Sequence, residues 1–289
     1  MIPVGLYEKA LPAEWSWEKR LAATAEAGYD FAEISIDEST ERLGRLDWTT
    51  TERAALRRAI ANSGVRILTM CLSAHRTYPL GSRSPEIRSQ ALEILRKAIG
   101  FAVDIGLGIV QVPGYDIFDE LSDADTVAHL LHGLHQGADW ASQACLMLGL
   151  ENVDVSISES ITATMRLLTA VNSPWVQLYP DMANVAAAGF SPPEQLRLAK
   201  DHIVAVHVKD GLSRTIRGVP YGEGIVPFSE TFEALRECRF RGPMVVEMWS
   251  HMDRTGDPFG AVRAAREFVK PYLEVLDASA RTERNRLEV

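Results

Sequence analysis

Residues 203–210 read IVAVHVKD, a short apolar run in which the character of the side chain alternates with position. In a strand, successive side chains point to opposite sides of the sheet. One face would therefore carry valine alone, at positions 204, 206 and 208, and the other would carry Ala205, His207 and Lys209. The valine face suits burial beneath a layer of helices. The mixed face predicts an enclosed space on the other side of the sheet, with polar groups at the C-terminal end of the strand.

Seven more runs of this kind occur along the chain, with an amphipathic helical pattern after each one. The eight runs occupy residues 3–8, 31–37, 66–73, 109–114, 146–153, 176–184, 203–210 and 242–249. Strands that each return through a crossover helix form a parallel sheet, and eight of them close into a barrel filled by side chains. We therefore predict an α/β fold, a single (β/α)8 TIM barrel over residues 1–276, followed by a polar C-terminal tail over residues 277–289.

Two other architectures are compatible with a length of 289 residues. Two domains fit a size rule of roughly 150 residues per domain, but no linker or change of composition occurs near the middle of the chain. A doubly wound open sheet would carry a glycine-rich phosphate-binding turn after its first strand, and residues 5–12, GLYEKALP, contain no such turn. The barrel is therefore favoured, and its functional residues are expected at the C-terminal ends of the strands.

The composition is that of a globular protein, with 46% hydrophobic and 24% charged residues. The 30 basic and 39 acidic residues give a formal net charge of -9, which disfavours nucleic acid as a partner. The three cysteines, Cys71, Cys145 and Cys238, lie far apart in apolar company and are expected to be reduced thiols in the core. We find neither a leader pattern nor an apolar run long enough to span a membrane, so we expect a cytoplasmic protein with no membrane contact.

Four ionisable residues fall on the mixed faces of four successive predicted strands, at matching depth: Glu151, Asp181, His207 and Glu247. Each of them alone is most simply explained by a separate salt bridge or by exposure to solvent. Together in one lumen, however, three carboxylates and an imidazole would be intolerable as uncompensated charge. A divalent cation resolves this, and the ligand set suits Mn²⁺, Mg²⁺ or Co²⁺, with Zn²⁺ also compatible.

Several ordered motifs resemble the L-xylulose-5-phosphate (L-ribulose-5-phosphate) 3-epimerases of the xylose-isomerase-like TIM-barrel superfamily, from residue 3 to about residue 272. The motifs are GLYEKALP (5–12), ERLGRLDW (41–48), MCLSAHRTYPLGS (70–82), LYPDMAN (178–184), IVAVHVKD (203–210), VPYGEG (219–224) and VEMWS (246–250). The resemblance implies one divalent metal ion, for which we favour Mn²⁺ or Zn²⁺, held by the four residues named above. It also implies a ketose or ketose phosphate as substrate, and a homo-oligomer, either a dimer or a tetramer.

The resemblance further implies inversion at C3 of a ketose phosphate through an enediolate, interconverting L-xylulose 5-phosphate and L-ribulose 5-phosphate. Inversion requires one group to remove a proton and another to return a proton on the opposite face. Glu151 and Glu247 are the candidate pair, with Asp181 and His207 as ligands only. A general base contributes about 10²- to 10⁴-fold, so polarisation of the substrate oxygens by the metal must supply much of the remaining acceleration.

The residues that would bind the substrate are inferred from their positions at strand ends or in the loops that follow. A phosphate requires cationic donors, for which Lys9, His75, Arg76, Lys209 and Arg217 are candidates. Arg217, in RGVPYGEG, resembles a substrate-binding arginine of related ketose 3-epimerases. The polar residues Tyr7, Glu33, Ser73, His75 and Glu223 are candidates to bind sugar hydroxyls or to orient the metal ligands. For any one of these residues, the ordinary alternative is a solvated charge or a structural hydrogen bond.

Other functions remain open at this stage. An aldose–ketose isomerase would use the same metal and move the proton between C1 and C2, and a free-ketose 3-epimerase would use the same site without a phosphate. A metal-dependent abasic-site endonuclease is disfavoured by the negative net charge and by the single-metal ligand set. A non-catalytic sugar-binding barrel is disfavoured by the free-energy cost of bringing four ionisable groups together. His129, His132 and His135 recur along one predicted helix with no carboxylate partner, which indicates a solvated helix face.

Overall fold

Eight strands and ten α-helices alternate along the chain in the computed structural model, which describes residues 2–253 and 256–287, the side chains of residues 277–287 excepted. The strands are β1 (Val4–Tyr7), β2 (Phe31–Ser35), β3 (Arg66–Cys71), β4 (Ile109–Pro113), β5 (Met147–Glu151), β6 (Val176–Leu178), β7 (Val206–Val208) and β8 (Met244–Val246). The helices are α1 (Trp17–Glu26), α2 (Thr40–Leu43), α3 (Thr50–Ser63), α4 (Pro85–Ile105), α5 (Ala124–Gln143), α6 (Ile161–Val171), α7 (Met182–Ala187), α8 (Pro192–Leu198), α9 (Phe228–Glu237) and α10 (Pro258–Leu287).

All strand pairs are parallel, and the order around the sheet is β6-β5-β4-β3-β2-β1-β8-β7. β1 pairs with both β2 and β8, so the first and last strands of the chain are neighbours. Between β6 and β7 the ring is closed by two single bridges, Leu178 with Ile203 and Asp181 with His207. We refer to this junction as the seam. The predicted (β/α)8 barrel is therefore confirmed.

Two apolar clusters occupy the two faces of the sheet. The outer cluster, between sheet and helices, includes the strand residues Leu148, Leu150, Val206, Val208, Met244 and Val246. The inner cluster fills the lumen and consists of Tyr7, Phe31, Cys71, Tyr179, Ala205 and Val245. Cys71 is thus a core thiol as predicted, whereas Cys145 is exposed and Cys238 is half-buried, so the prediction was wrong for these two. Because the residues from the mixed faces lie inside and those from the uniformly apolar faces lie outside, the predicted orientation of the strands is confirmed.

The helix boundaries follow local sequence signals. Thr49 caps α3 in a reciprocal box with Glu52, and Ser84 caps α4 ahead of Pro85. Gly64 and Gly106 end the same two helices in the left-handed conformation that glycine adopts without strain. α10 continues to Leu287, and the side chains of residues 277–287 lie outside the described part of the chain. The domain boundary at residue 276 therefore stays a prediction.

Among the described helices, none combines the length and the apolar character that crossing a lipid bilayer requires.

Candidate metal centre and active site

The four predicted metal ligands meet at the C-terminal mouth of the barrel. Glu151 ends β5, Asp181 follows β6, His207 lies in β7 and Glu247 follows β8. One ligand atom from each lies within 4.8 Å of the others, and all four residues are buried. In the described part of the chain no second group of at least three His, Cys, Asp or Glu residues has this geometry. The side chains from four neighbouring strands thus converge on one point.

Asp181 is positioned by the start of α7. Its Oδ1 accepts hydrogen bonds from the backbone amides of Ala183 and Asn184, at 2.8 and 2.9 Å, which makes it the cap of that helix. The Asp181 amide in turn donates to Asn152 Oδ1 at 2.9 Å. These contacts fix the carboxylate and leave Oδ2 buried, where it accepts no hydrogen bond from the described residues.

His207 lies between carboxylates on both sides of its ring. Nδ1 is 2.9 Å from Glu151 Oε1 and 3.8 Å from Glu247 Oε2, so this nitrogen faces the other candidate ligands. Nε2 is 2.8 Å from Glu33 Oε1. Burial lowers the pKa of His207, but the charges of Glu33 and Glu247 outweigh it and the net direction is upward. Nδ1 is hydrogen-bonded to Glu151. If Nδ1 instead ligated a metal ion, the Nε2–H would donate to Glu33, an arrangement that commonly orients metal-binding histidines.

Glu33 is itself held in the lumen. Its Oε2 accepts hydrogen bonds from the Thr69 hydroxyl at 2.7 Å and from the Tyr179 hydroxyl at 2.8 Å. Glu33 is fully buried and does not line the open cavity described below. Of the two roles predicted for it from the sequence, its position supports orientation of a ligand rather than contact with a sugar.

Lys209 lies among the carboxylates rather than in a loop at the surface. Its Nζ is 2.6 Å from Asp181 Oδ2, 2.8 Å from Glu247 Oε2 and 3.1 Å from Asn184 Oδ1. Burial lowers the pKa of the ammonium, but the charges of Asp181 and Glu247 raise it further than burial lowers it. Lys209 therefore stays charged at neutral pH.

The two candidate acid/base residues have different electrostatic surroundings. Burial raises the pKa of Glu151 to about 7, although the neighbouring His207 opposes this shift. Burial also raises the pKa of Glu247, but Lys209 and His207 outweigh it and lower the value to about 2. Gln111 Nε2 donates to Glu151 Oε2 at 2.5 Å and fixes that carboxyl group. Opposed shifts of this kind are typical of paired carboxyls with distinct roles in acid/base catalysis.

The chemistry of this cluster fits a divalent cation. Glu33, Glu151, Asp181 and Glu247 bring four carboxylates into a buried space. Among the described residues, Lys209 is the only lysine or arginine that forms an ion pair with them within 4 Å. Asp181 Oδ2 and Glu247 Oε2 are buried, and apart from the ion pairs with Lys209 they accept no hydrogen bond from the described residues. Oxygen and imidazole ligands of this kind suit Mn²⁺, Mg²⁺, Co²⁺ and Zn²⁺. The cluster could therefore hold a metal ion.

A cavity of about 200 Å³ opens beside the cluster. Glu151, Glu247 and Lys209 of the cluster are among its lining residues. The remaining lining residues are Tyr7, Lys9, Glu38, Cys71, Ser73, Arg76, Pro113, Tyr115, Val153, Asn184, Ile216, Arg217 and Trp249. The cavity thus joins the candidate metal centre to three further cationic side chains.

These three cations differ in their partners. Lys9 forms an ion pair with Asp37 at 2.5 Å, whereas the guanidinium of Arg76 lies 4.3 Å from the centre of the Phe118 ring. The Arg76 Nε and the Ser73 Oγ are buried without a hydrogen-bond partner among the described residues. Burial lowers the pKa of Arg217, but Tyr115, Glu247 and other nearby acidic groups raise it overall. Arg76 and Ser73 therefore offer unused polar atoms next to the cavity.

Three of the predicted substrate-binding residues, Glu33, His75 and Glu223, do not line this cavity. His75 is buried, with Nε2 3.2 Å from the Ala91 carbonyl, and burial lowers its pKa to about 4. Glu223 is exposed and borders a separate apolar cavity of about 480 Å³ together with Met248 and Phe268. Of the other predicted residues, Tyr7, Lys9, Ser73, Lys209 and Arg217 do line the site.

Three residues that contact the ligands were not predicted from the sequence. Gln111 holds Glu151, while Asn152 and Asn184 bond to each other and connect the loops after β5 and β6. Gln111 is the one polar residue in the run IVQVPG, residues 109–114, and this contrast is a signal that points to the lumen. The two asparagines carry no such signal, since asparagine is common in loops.

Comparisons with known proteins agree with this architecture. Residues 21–272 match the family described as "Xylose isomerase-like TIM barrel". The L-ribulose-5-phosphate 3-epimerase UlaE of Salmonella heidelberg (strain SL476) is 44% identical over 272 residues, which is 94% of this chain and 95% of that protein. UlaE of Escherichia coli (strain ATCC 8739) has the same identity and coverage.

Solved structures of sugar epimerases share the fold. An L-ribulose 3-epimerase superposes with a TM-score of 0.80 at 20% identity, covering 98% of each chain. The D-allulose 3-epimerase from Methylomonas sp., in complex with D-allulose, gives a TM-score of 0.78 at 21% identity and covers 94% of this chain and 97% of its own. The chain therefore belongs to the xylose isomerase-like TIM barrel family and, within it, to the L-ribulose-5-phosphate 3-epimerases.

Proposed function

We propose that this protein is a metal-dependent ketose-phosphate 3-epimerase that interconverts L-xylulose 5-phosphate and L-ribulose 5-phosphate. The observation that carries the proposal is the placement of Glu151 and Glu247. Both belong to the buried ligand cluster, both line the same cavity, and they come from β5 and β8, on different sides of the cluster. A substrate between them would present opposite faces of one carbon to two carboxyl groups.

The reaction requires a proton to leave C3 on one face and another proton to reach C3 on the opposite face. One glutamate takes the first proton as a carboxylate, and the other, protonated, delivers the second. The intermediate is the enediolate of C2 and C3, and reversal of the two roles serves the reverse reaction. The bound divalent ion supplies electrophilic stabilisation of the charge that develops on the substrate oxygens.

The residues around the two glutamates prepare them for these roles. Gln111 donates to Glu151 Oε2 and fixes the direction of that carboxyl group. On the other side, Lys209 contacts Glu247 Oε2 at 2.8 Å. Glu33 aligns the His207 ring through Nε2. Fixed orientation matters because a displacement of about 1 Å in such a site can cost 10²-fold in rate.

The lining of the cavity supports a phosphorylated substrate. Lys9, Arg76 and Arg217 contribute three cationic groups to it, and the Ser73 hydroxyl has no hydrogen-bond partner among the described residues. Charge-assisted hydrogen bonds from such groups are the usual means of binding a phosphate in an acidic protein. A free ketose would leave Arg76 Nε and Ser73 Oγ without a hydrogen-bond partner among the described residues. Tyr7 lines the cavity and is assigned to the sugar hydroxyls.

Proton NMR in D₂O tests the reaction. The Mn²⁺-loaded protein is incubated with L-xylulose 5-phosphate, and deuterium incorporation at C3 is compared with incorporation at C1. Label at C3 together with new L-ribulose 5-phosphate signals is the expected result. Label at C1 would identify an aldose–ketose isomerase instead, and absence of exchange at either carbon would refute the substrate.

Three properties stay predictions. Mn²⁺ or Zn²⁺ is the favoured ion, which metal analysis of the protein purified without added metal will test. A homo-oligomer, dimer or tetramer, is expected, and light scattering will measure its mass. A cytoplasmic location is expected and is testable by fractionation of the source cells.

A further inference from the structure

Lys209 contacts each of two candidate ligands, Asp181 and Glu247, at a buried carboxylate oxygen. Its Nζ lies 2.6 Å from Asp181 Oδ2 and 2.8 Å from Glu247 Oε2, and neither oxygen accepts a hydrogen bond of normal geometry from the described residues. The other oxygen of Asp181 is occupied by the two amides at the start of α7. The ammonium therefore lies against Asp181 Oδ2, the oxygen that the α7 amides leave for a metal ion, and against one oxygen of Glu247.

The surroundings of Lys209 explain why a cation is needed there even without a metal. Four carboxylates lie in the cluster, and removal of buried charge from water is costly unless opposite charge compensates it. The Lys209 side chain is 5% exposed, so water contributes little to that compensation. Asn184 Oδ1, at 3.1 Å, fixes the ammonium from a third direction.

We propose that Lys209 is the resident counter-ion of the metal centre. In the metal-free protein it holds Asp181 and Glu247 in place by compensating their charge. In the loaded protein it lies beside the divalent ion and repels it, so that metal affinity is lower than the four ligands alone would give. This inference rests on the proposed metal centre but not on the proposed sugar chemistry.

The two halves of the proposal predict opposite effects of one substitution. In Lys209→Met the chain length is kept and the charge is lost. The metal-free protein then loses compensation of two buried carboxylates, so its Tm falls. The divalent ion loses a repelling neighbour, so it binds more tightly. A merely structural ion pair would lower the Tm without tightening the binding of metal.

The experiment uses Mn²⁺ alone as the probe. The Kd is measured from the electron paramagnetic resonance signal of free Mn²⁺, and the Tm is measured by differential scanning fluorimetry with EDTA and with excess Mn²⁺. We expect Lys209→Met to lower the metal-free Tm by about 5 °C or more and the Kd by about tenfold or more, since like charges at such short range repel strongly. The matched control, Lys200→Met at an exposed site, changes neither value.

An unchanged or weaker Mn²⁺ affinity in Lys209→Met would overturn the proposal. Lys209→Gln, which keeps hydrogen-bonding capacity without charge, is the second variant and predicts the same tighter binding. If either variant folds only when purified with Mn²⁺, that result supports the proposal. The wild-type titration reports separately on the metal centre, because failure of the wild-type protein to bind Mn²⁺ would refute the proposed metal dependence itself.

Discussion

Protonation of His75 provides a sharp test of the structure beside the cavity. His75 is buried, its Nε2 bonds to the Ala91 carbonyl, and its Nδ1 has no hydrogen-bond partner among the described residues. A proton on Nδ1 would therefore add both a charge and an unpaired donor to a buried site. Burial accordingly lowers the pKa from 6.5 to about 4.

The direction of the pH dependence follows from this depressed value. Between pH 6.5 and pH 4 the unfolded chain binds a proton at His75 that the folded protein excludes, so the free energy of unfolding falls as the pH falls through that range. The two pKa values differ by roughly 2.5, which corresponds to about 3 kcal/mol lost by pH 4 relative to pH 7. For a domain of this size that loss equals a fall in Tm of about 5–10 °C.

His75→Gln removes the titration and keeps a donor near the position of Nε2. We expect the Tm of this variant to fall less than the Tm of the wild type between pH 7 and pH 4.5, whatever its value at pH 7. The matched control, His132→Gln on the exposed face of α5, should follow the wild-type curve. Parallel curves for the wild type and His75→Gln would refute the reasoning.

Three further predictions concern catalysis. Glu151→Gln and Glu247→Gln should each lower kcat by about 10²-fold or more, because each substitution removes one proton-transfer group. Circular dichroism and metal analysis should show that both variants stay folded and retain metal. Near wild-type turnover in either variant would contradict the two-glutamate scheme. Glu33→Gln should weaken Mn²⁺ binding by about 10- to 100-fold, measured by titration, because His207 loses its orienting carboxylate; an unchanged Kd would remove that role. Arg217→Ala should raise KM for L-xylulose 5-phosphate far more than for free L-xylulose, and an equal rise for both sugars would place Arg217 away from the phosphate.

The barrel was predictable because the strands carry their orientation in the sequence. Residues such as Ala205 and His207 alternate with valines, and the alternation distinguishes the lumen from the helix layer before any contact is known. The convergence of Glu151 and Glu247 with the other two ligands followed from the same alternation. Side chains on the same face and at the same depth of neighbouring parallel strands must lie close together.

Long or loop-borne side chains were less predictable. Lys209 has a flexible stem, and its sequence position alone does not reveal whether the ammonium contacts a substrate or the carboxylates of Asp181 and Glu247. His75 and Glu223 lie in loops whose direction is set by contacts distant in sequence, such as the Ala91 carbonyl in α4. Residues 176–184 read as one run, yet β6 ends at Leu178, and Asp181 caps α7 instead of continuing the strand.

The position of the metal centre at the seam between β6 and β7 has a consequence for the local stability of the barrel. Elsewhere, neighbouring strands are joined by ladders of at least three registered residues, whereas here the ring depends on two single bridges, one of which joins Asp181 to His207. An ion held by these two residues would link β6 to β7, the neighbouring strands with the fewest backbone pairings in the ring. We therefore expect metal release to loosen the ring locally, with faster amide exchange at Val204 and His207, whose N–H groups donate across the seam to Leu178 and Pro180.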